Sequence, residues 1–201
     1  MKNRHIIFTV INDLNYDQRM IRICKSLVEE GYTVTLVGRQ LKRSTPLRDQ
    51  PFRQIRLHCF FEKGKLFYLE YNWRLLFFLL RRSWDAVCAV DLDTILPAYY
   101  VAKWKNKKMI YDAHEYFTEV PEVISRPRVK SIWEWIGNHT VPHLQFCYTV
   151  GDALADILQK KYGTPFEVIR NVPFPSATAE QEKDKKIILY QGALNVGRGL
   201  E

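Results

Sequence analysis

The sequence lacks the glycine-rich turn that a dinucleotide cofactor requires. After the first apolar run, Ile6–Ile11, the chain continues Asn12-Asp13-Leu14-Asn15. A Gly-x-Gly-x-x-Gly turn there would let backbone approach a pyrophosphate, and its absence weighs against an NAD or FAD oxidoreductase. No Cys-x-x-Cys is present. Cys24, Cys59, Cys88 and Cys147 are widely spaced among apolar neighbours, which reads as reduced core thiols of a cytosolic protein rather than disulfides or a zinc site. His-Glu-x-x-His is also missing, which argues against a zinc hydrolase. His139 and His143 are four apart, but Pro142 interrupts the helix that would align them. Apolar runs are short. The run after the basic start Met1–His5 ends at Asn12, too soon for a signal-peptide core. Leu75–Leu80 falls far short of the roughly 20 residues of a membrane span. There is no internal repeat, no low-complexity tract and no arginine-rich tail. The net charge of +8, from 30 Lys and Arg against 22 Asp and Glu, therefore implies an anionic partner or surface without calling for nucleic acid.

What is present is alternation. At 201 residues, 47% hydrophobic and 26% charged, the chain has room for one full domain and a remnant. Ile6–Ile11 reads as a strand, and Asp17 caps a helix whose apolar positions are Met20, Ile21, Cys24, Leu27 and Val28. Gly31 stops that helix, and Tyr32–Val37 is the next strand. Arg39–Pro51 reads as a mobile basic loop. Strands follow over Gln54–Phe61, Ala86–Val90, Lys108–Tyr111, Phe146–Val150 and Phe166–Ile169. Helices follow over Leu66–Arg82, Thr94–Trp104, Val129–His139 and Ala153–Tyr162, with a long connection over Asp112–Pro127. This order predicts an α/β fold, a doubly wound Rossmann-like parallel sheet over residues 1–170. A linker over 171–184 and the first strand and glycine-bearing turn of a truncated second domain over 185–201 are expected to follow. The aromatic and basic stretch Leu66–Arg82 is apolar nearly all round, which favours a broadly buried helix over one facing a membrane.

In such sheets ligands bind beyond the carboxyl ends of the strands. That edge holds the loops Asn12–Asp17, Asp91–Asp93 and Asp112–Glu119, all carrying carboxylates, and yields Asp13, Tyr16, Asp91, Asp93 and Glu115 as candidate ligand contacts. Arg19, just past the cap, is a further candidate that the sequence leaves free to face either way. His114 directly follows a buried strand, where it can hydrogen-bond a sugar hydroxyl, with Tyr116 and Phe117 as stacking faces.

Taken in order, Asp13–Arg22 with Gly31–Val37, Asp91-Leu92-Asp93 with Pro97, Tyr111–Glu115 with Pro121-Glu122, and Thr149–Asp152 through Asn171-Val172-Pro173 resemble the N-terminal half of a GT-B fold, family 4-type glycosyltransferase. The resemblance implies transfer of a sugar from a nucleotide-diphosphate sugar to a glycan or lipid-linked acceptor, with retention and with neither metal nor cofactor. The expected setting, from the isolated cysteines, is cytoplasmic, with the inner face of the cell membrane as the site of any peripheral contact. In the family the first domain holds the acceptor, which gives Asp13, Tyr16, Arg19, Asp91, Asp93 and Glu115 that role. His114 matches a histidine placed near the transferred sugar, the catalytic position. Gly192, Gly197 and Arg198 match the entry to the donor domain, where a basic residue stabilises the leaving diphosphate. Ala193 stands where the family often has Arg, and Asn171-Val172 where it usually has Asn-Gly. The donor-gripping acidic motif belongs to a second half not included here, so this stretch alone is expected to be inactive. A non-catalytic sugar-binding module and a sugar-nucleotide epimerase of the same fold are the alternatives.

Overall fold

A computed structural model of the chain describes residues 4–173. The linker from Phe174 onward, the expected second-domain strand, and Gly192, Gly197 and Arg198 lie outside the described residues. The described chain forms a seven-stranded, all-parallel sheet in the order β3-β2-β1-β4-β5-β6-β7. The strands are β1 (His5–Thr9), β2 (Thr33–Gln40), β3 (Arg53–His58), β4 (Ala86–Val90), β5 (Lys108–Ala113), β6 (Phe146–Thr149) and β7 (Glu167–Val168). The helices are α1 (Gln18–Glu29), α2 (Gly64–Leu80), α3 (Ile95–Lys105), α4 (Pro121–Ile124), α5 (Pro127–Thr140) and α6 (Asp152–Tyr162). The strand order reverses between β1 and β4, so crossovers to one side of β1 pack on one face and those to the other side on the opposite face.

Local chemistry sets the boundaries. Asp17 accepts the Met20 N–H at 3.1 Å and opens α1, and Gly31 at φ +83° allows the turn into β2. β3 ends at His58 rather than Phe61, because the N–H groups of Phe60 and Phe61 turn away to the Glu70 carboxylate at 2.9–3.0 Å. β5 runs two residues past Tyr111: Asp112 and Ala113 pair with Tyr148 and Thr149, so Asp112 belongs to the sheet and not to a loop. The connection beyond it is anchored by α4, by Lys130 on Glu119 at 2.6 Å and by Lys161 on Thr118 at 2.9 Å. The basic segment before β3, expected to be mobile, is tied down instead. Asn15 donates to Thr45 Oγ1 at 2.9 Å and to the Pro46 carbonyl at 2.8 Å, and accepts the Arg48 N–H at 3.1 Å.

Two apolar layers flank the sheet. Under α2, α3, α5 and α6 lie Tyr71, Leu75, Leu79, Ile95, Val101 and Ile136; under α1 lie Phe8, Met20, Cys24, Leu36 and Cys88. All four cysteines are free and buried, and burial pushes the Cys147 thiol up to about 12. Helix α2 departs from the expectation of broad burial. Its Phe67, Tyr71, Leu75 and Leu79 are buried, while Leu66, Leu69 and Trp73 are exposed. Beside α1, a groove of about 1460 Å³ runs along Phe8, Ile23, Cys88, Ile110, Phe146 and Tyr148. Among the described residues α1 is the only helix of that layer, so the sheet there is open.

Gly38 fixes how close β2 comes to the loop after β1. A Cβ there would lie 2.5 Å from the Asn12 carbonyl oxygen and would overlap the Leu14 side chain. Gly38→Ala is expected to lower unfolding free energy by about 1–3 kcal/mol. Urea denaturation checks this, and an unchanged midpoint would mean the loop yields freely.

Candidate active site

The carboxyl edge gathers a charged cluster around β4, β5 and the start of α1. Asp112, at the end of β5, is fully buried and holds two partners. Arg19 of α1 reaches one carboxylate oxygen at 2.5 Å, and the Tyr148 hydroxyl of β6 donates to the other at 2.5 Å. An almost dehydrated carboxylate needs such partners, since an unpaired buried charge costs several kcal/mol. Arg19 is therefore committed to holding the edge together.

Immediately above sits the His114–Asp91 pair. His114 Nδ1 lies 2.9 Å from Asp91 Oδ2, with the imidazole about one-third exposed and the carboxylate buried. Burial of His114 disfavours its charged form, but the Asp91 carboxylate beside Nδ1 outweighs this and raises its pKa above the ordinary histidine value. Burial pushes the Asp91 carboxyl up, with His114 opposing. Asp91 takes φ +53°, which side-chain-bearing residues rarely adopt, and its N–H is held by the Asp112 carbonyl at 2.8 Å. Backbone strain of this kind costs about 1–3 kcal/mol and concentrates at functional sites. Asp93, two residues on, is buried with its carboxyl pushed well up by burial, by Asp91 and by Glu115. The Asp91 and Asp93 Oδ1 atoms are buried without a hydrogen-bond partner among the described residues, and so is His114 Nδ1, whose contact with Asp91 Oδ2 is an ion pair outside hydrogen-bond geometry. Orphaned carboxylate oxygens beside a histidine form a receptor for hydroxyl donors. No group of three or more His, Cys, Asp or Glu among the described residues is arranged to hold a metal ion.

His114, Asp91, Asp93, Arg19 and Glu115 thus share one electrostatic neighbourhood. Asp13 does not join it. Its carboxylate pairs with Arg56 of β3 at 2.5 Å and accepts from Ser44, a partnership that binds the loops after β1 and β2. Tyr16 is exposed on the same loop. Phe117 offers no open stacking face, because it is buried edge-on against Trp133 at 5.1 Å. Tyr116 stays half-buried with Lys161 over its ring. Sequence reasoning put Asp112 in a loop on this edge without naming it a site residue, and it missed Tyr148 and Arg56. An acidic residue closing the run Met109–Tyr111 was a readable signal for Asp112; nothing local marked Tyr148 or Arg56.

The charged cluster lies beyond the carboxyl ends of β4 and β5 in a parallel sheet, where doubly wound α/β folds bind their ligands. Residues 18–173 match Glycosyltransferase Family 4, and the chain belongs to that family. Solved structures share the fold. The sucrose-phosphate synthase of Thermosynechococcus elongatus superposes with a TM-score of 0.63 at 10% identity, over 83% of this chain and 48% of its own. Phytolacca americana UGT2, complexed with UDP-2fluoro-glucose and pterostilbene, gives 0.59 at 8% identity over 88% of this chain and 56% of its own. Arabidopsis thaliana UGT89C1, complexed with UDP-L-rhamnose, gives 0.58 at 13% identity over 88% and 54%. The chain spans about half the length of these three. None of the curated proteins matches it.

Two outcomes separate the roles within the cluster. Asp112→Ala strands Arg19 and is expected to cost about 3–5 kcal/mol of stability, whereas His114→Ala should leave the melting temperature close to wild type. Equal losses in thermal denaturation would make His114 a structural residue. The histidine also carries a pH signature. Because its folded pKa is raised, its contribution to stability is fully present below the unfolded value of about 6.5 and is lost as pH rises through the folded midpoint. In a ¹H–¹⁵N titration His114 should keep its proton above the ordinary range, and Asp91→Asn should bring the midpoint down. A wild-type midpoint at or below the ordinary value would contradict the pairing.

Proposed function

We propose that this chain is the acceptor-binding half of a glycosyltransferase. The whole enzyme moves a sugar from a nucleotide-diphosphate sugar to a glycan or lipid-linked acceptor, with retention at the anomeric carbon. The observation that carries the reading is the His114–Asp91 pair at the carboxyl edge, next to carboxylate oxygens with no partner among the described residues. Family membership supports the reaction class, and the UDP sugars bound to two fold relatives support a nucleotide-sugar donor.

In this reading Asp91 holds Nδ1 and leaves Nε2 to meet the transferred sugar. A protonated imidazole donates a hydrogen bond from Nε2 and places positive charge beside the reacting centre. A neutral one protonated on Nδ1 accepts a hydroxyl there instead. Asp93 and Glu115 take acceptor hydroxyls, Asp13 and Tyr16 line the loop that approaches the acceptor, and Arg19 contributes through Asp112. Residues 171–184 serve as the linker, and 185–201 begin the donor half. There Gly192 and Gly197 let backbone approach the diphosphate, and Arg198 neutralises it as the glycosidic bond breaks. Four buried, free thiols agree with a cytoplasmic setting.

The test joins this chain to its donor half and measures transfer. His114→Ala should lower turnover by about tenfold to a thousandfold, the scale of losing one positioned transition-state donor. Unchanged turnover with both substrates saturating would remove His114 from the site. The 201-residue chain alone, titrated calorimetrically with UDP and GDP sugars, should bind no tighter than about 1 mM, or about 4 kcal/mol. Micromolar binding would relocate the donor site onto this sheet.

A further inference from the structure

We propose that the outer face of α2, with the Phe60–Glu62 turn before it, docks onto an anionic lipid bilayer. Helix α2 has two apolar faces. Phe67, Tyr71, Leu75 and Leu79 enter the core, while Leu66, Leu69 and Trp73 stand 54%, 68% and 61% exposed on the opposite side. Leu66, Leu69, Trp73, Phe77 and Leu80 follow helical spacing, and the Trp73 ring meets Phe77 edge-on at 5.0 Å. Phe60, 74% exposed, and Phe61, 47% exposed, extend the stripe at its N-terminal end. A contiguous apolar surface of this kind marks an interaction site.

The turn is built to present those rings. The Glu70 carboxylate accepts the N–H groups of Phe60 and Phe61 and the Arg74 Nε, and Arg74 lies 5.3 Å from the Phe60 ring. Glu62 accepts the Lys42 N–H at 2.7 Å. Both carboxylates of the segment 60–82 are thereby occupied within the protein. Its five cations are Lys63, Lys65, Arg74, Arg81 and Arg82, and the last two lie 5.3 Å over Phe77 and Phe78. An exposed apolar stripe with a tryptophan, and cations at both ends of the helix, match the boundary between acyl chains and anionic headgroups. Charge complementarity thus selects an acidic lipid surface over a second copy of this basic chain, whose same face would repel it. No described helix is long and apolar enough to cross a membrane, so α2 would lie along the surface.

The docked face borders the candidate site. Asn72 of α2 donates to the Asp93 carbonyl at 3.0 Å, and Tyr68 hydrogen-bonds the Asp93 side chain. Docking therefore brings the carboxyl edge to the membrane surface, where the sugar of a lipid-linked acceptor would lie. That last step rests on the glycosyl-transfer reading; the docking does not.

Flotation of the 201-residue chain with vesicles tests it, comparing equal parts phosphatidylglycerol and phosphatidylcholine with phosphatidylcholine alone. Binding to the acidic vesicles should be at least about tenfold stronger. Leu69→Glu/Trp73→Glu should weaken it about tenfold or more at an unchanged melting temperature, both side chains being exposed. Lys63→Gln/Lys65→Gln should weaken it and reduce its salt dependence. Absence of binding to acidic vesicles would overturn the proposal. So would binding indifferent to Leu69→Glu/Trp73→Glu, which would assign it to net charge alone. A solution dimer split by the same substitutions, without vesicle binding, would make the face an interface between copies. None of these readouts depends on sugar transfer.

Discussion

Three elements distant in sequence meet at one carboxylate. Asp112 lies near the end of β5, Arg19 in the first turn of α1 and Tyr148 on β6, and the fully buried carboxylate is stable there only because the other two satisfy it. Helix α1 is thereby fixed over the carboxyl edge. The backbone of Asp112 does a second job: its carbonyl takes the Asp91 N–H and holds Asp91 in its left-handed conformation. Asp91 in turn orients His114. The candidate reactive group is thus held through two residues by a pair that never has to touch a substrate.

A parallel sheet closes both faces with helices or other chain. Here α2, α3, α5 and α6 cover one face, while α1 covers part of the other and leaves the groove along β4–β6. The electrostatics fall at the boundary between the two layers, where strand ends carry polar side chains and the sheet stops excluding water. Low dielectric below the edge and solvent above it explain the opposite fates of neighbouring groups. Asp93 is pushed toward its neutral form, while His114, a third exposed and facing Asp91, keeps its proton more tightly.

The alternation of strands and helices was legible because each element carries its own period and its own stop: Asp17 as a cap, Gly31 and Gly163 in left-handed turns. The strand-edge rule likewise selected the loops that hold Asp91, Asp93 and His114. What sequence alone could not reveal depended on long-range partners. Glu70 ends β3 from within the next helix, and Asn15 and Asp13 immobilise a loop some thirty residues away. The ion pair of Asp13 with Arg56 of β3 likewise had no local signal. Helix α2 misled for a simpler reason. A helix apolar on two faces has almost no net amphipathic direction, so its pattern did not reveal that one of them is exposed.

The central claim is that His114, set by Asp91, meets the transferred sugar. A crystal structure of this chain joined to its donor half, with nucleotide sugar and acceptor bound, tests it most directly. The account predicts His114 Nε2 within hydrogen-bond distance, about 2.7–3.2 Å, of an oxygen of the transferred sugar, with Nδ1 still on Asp91. A sugar seated elsewhere along the edge, leaving His114 in contact with solvent alone, would contradict it.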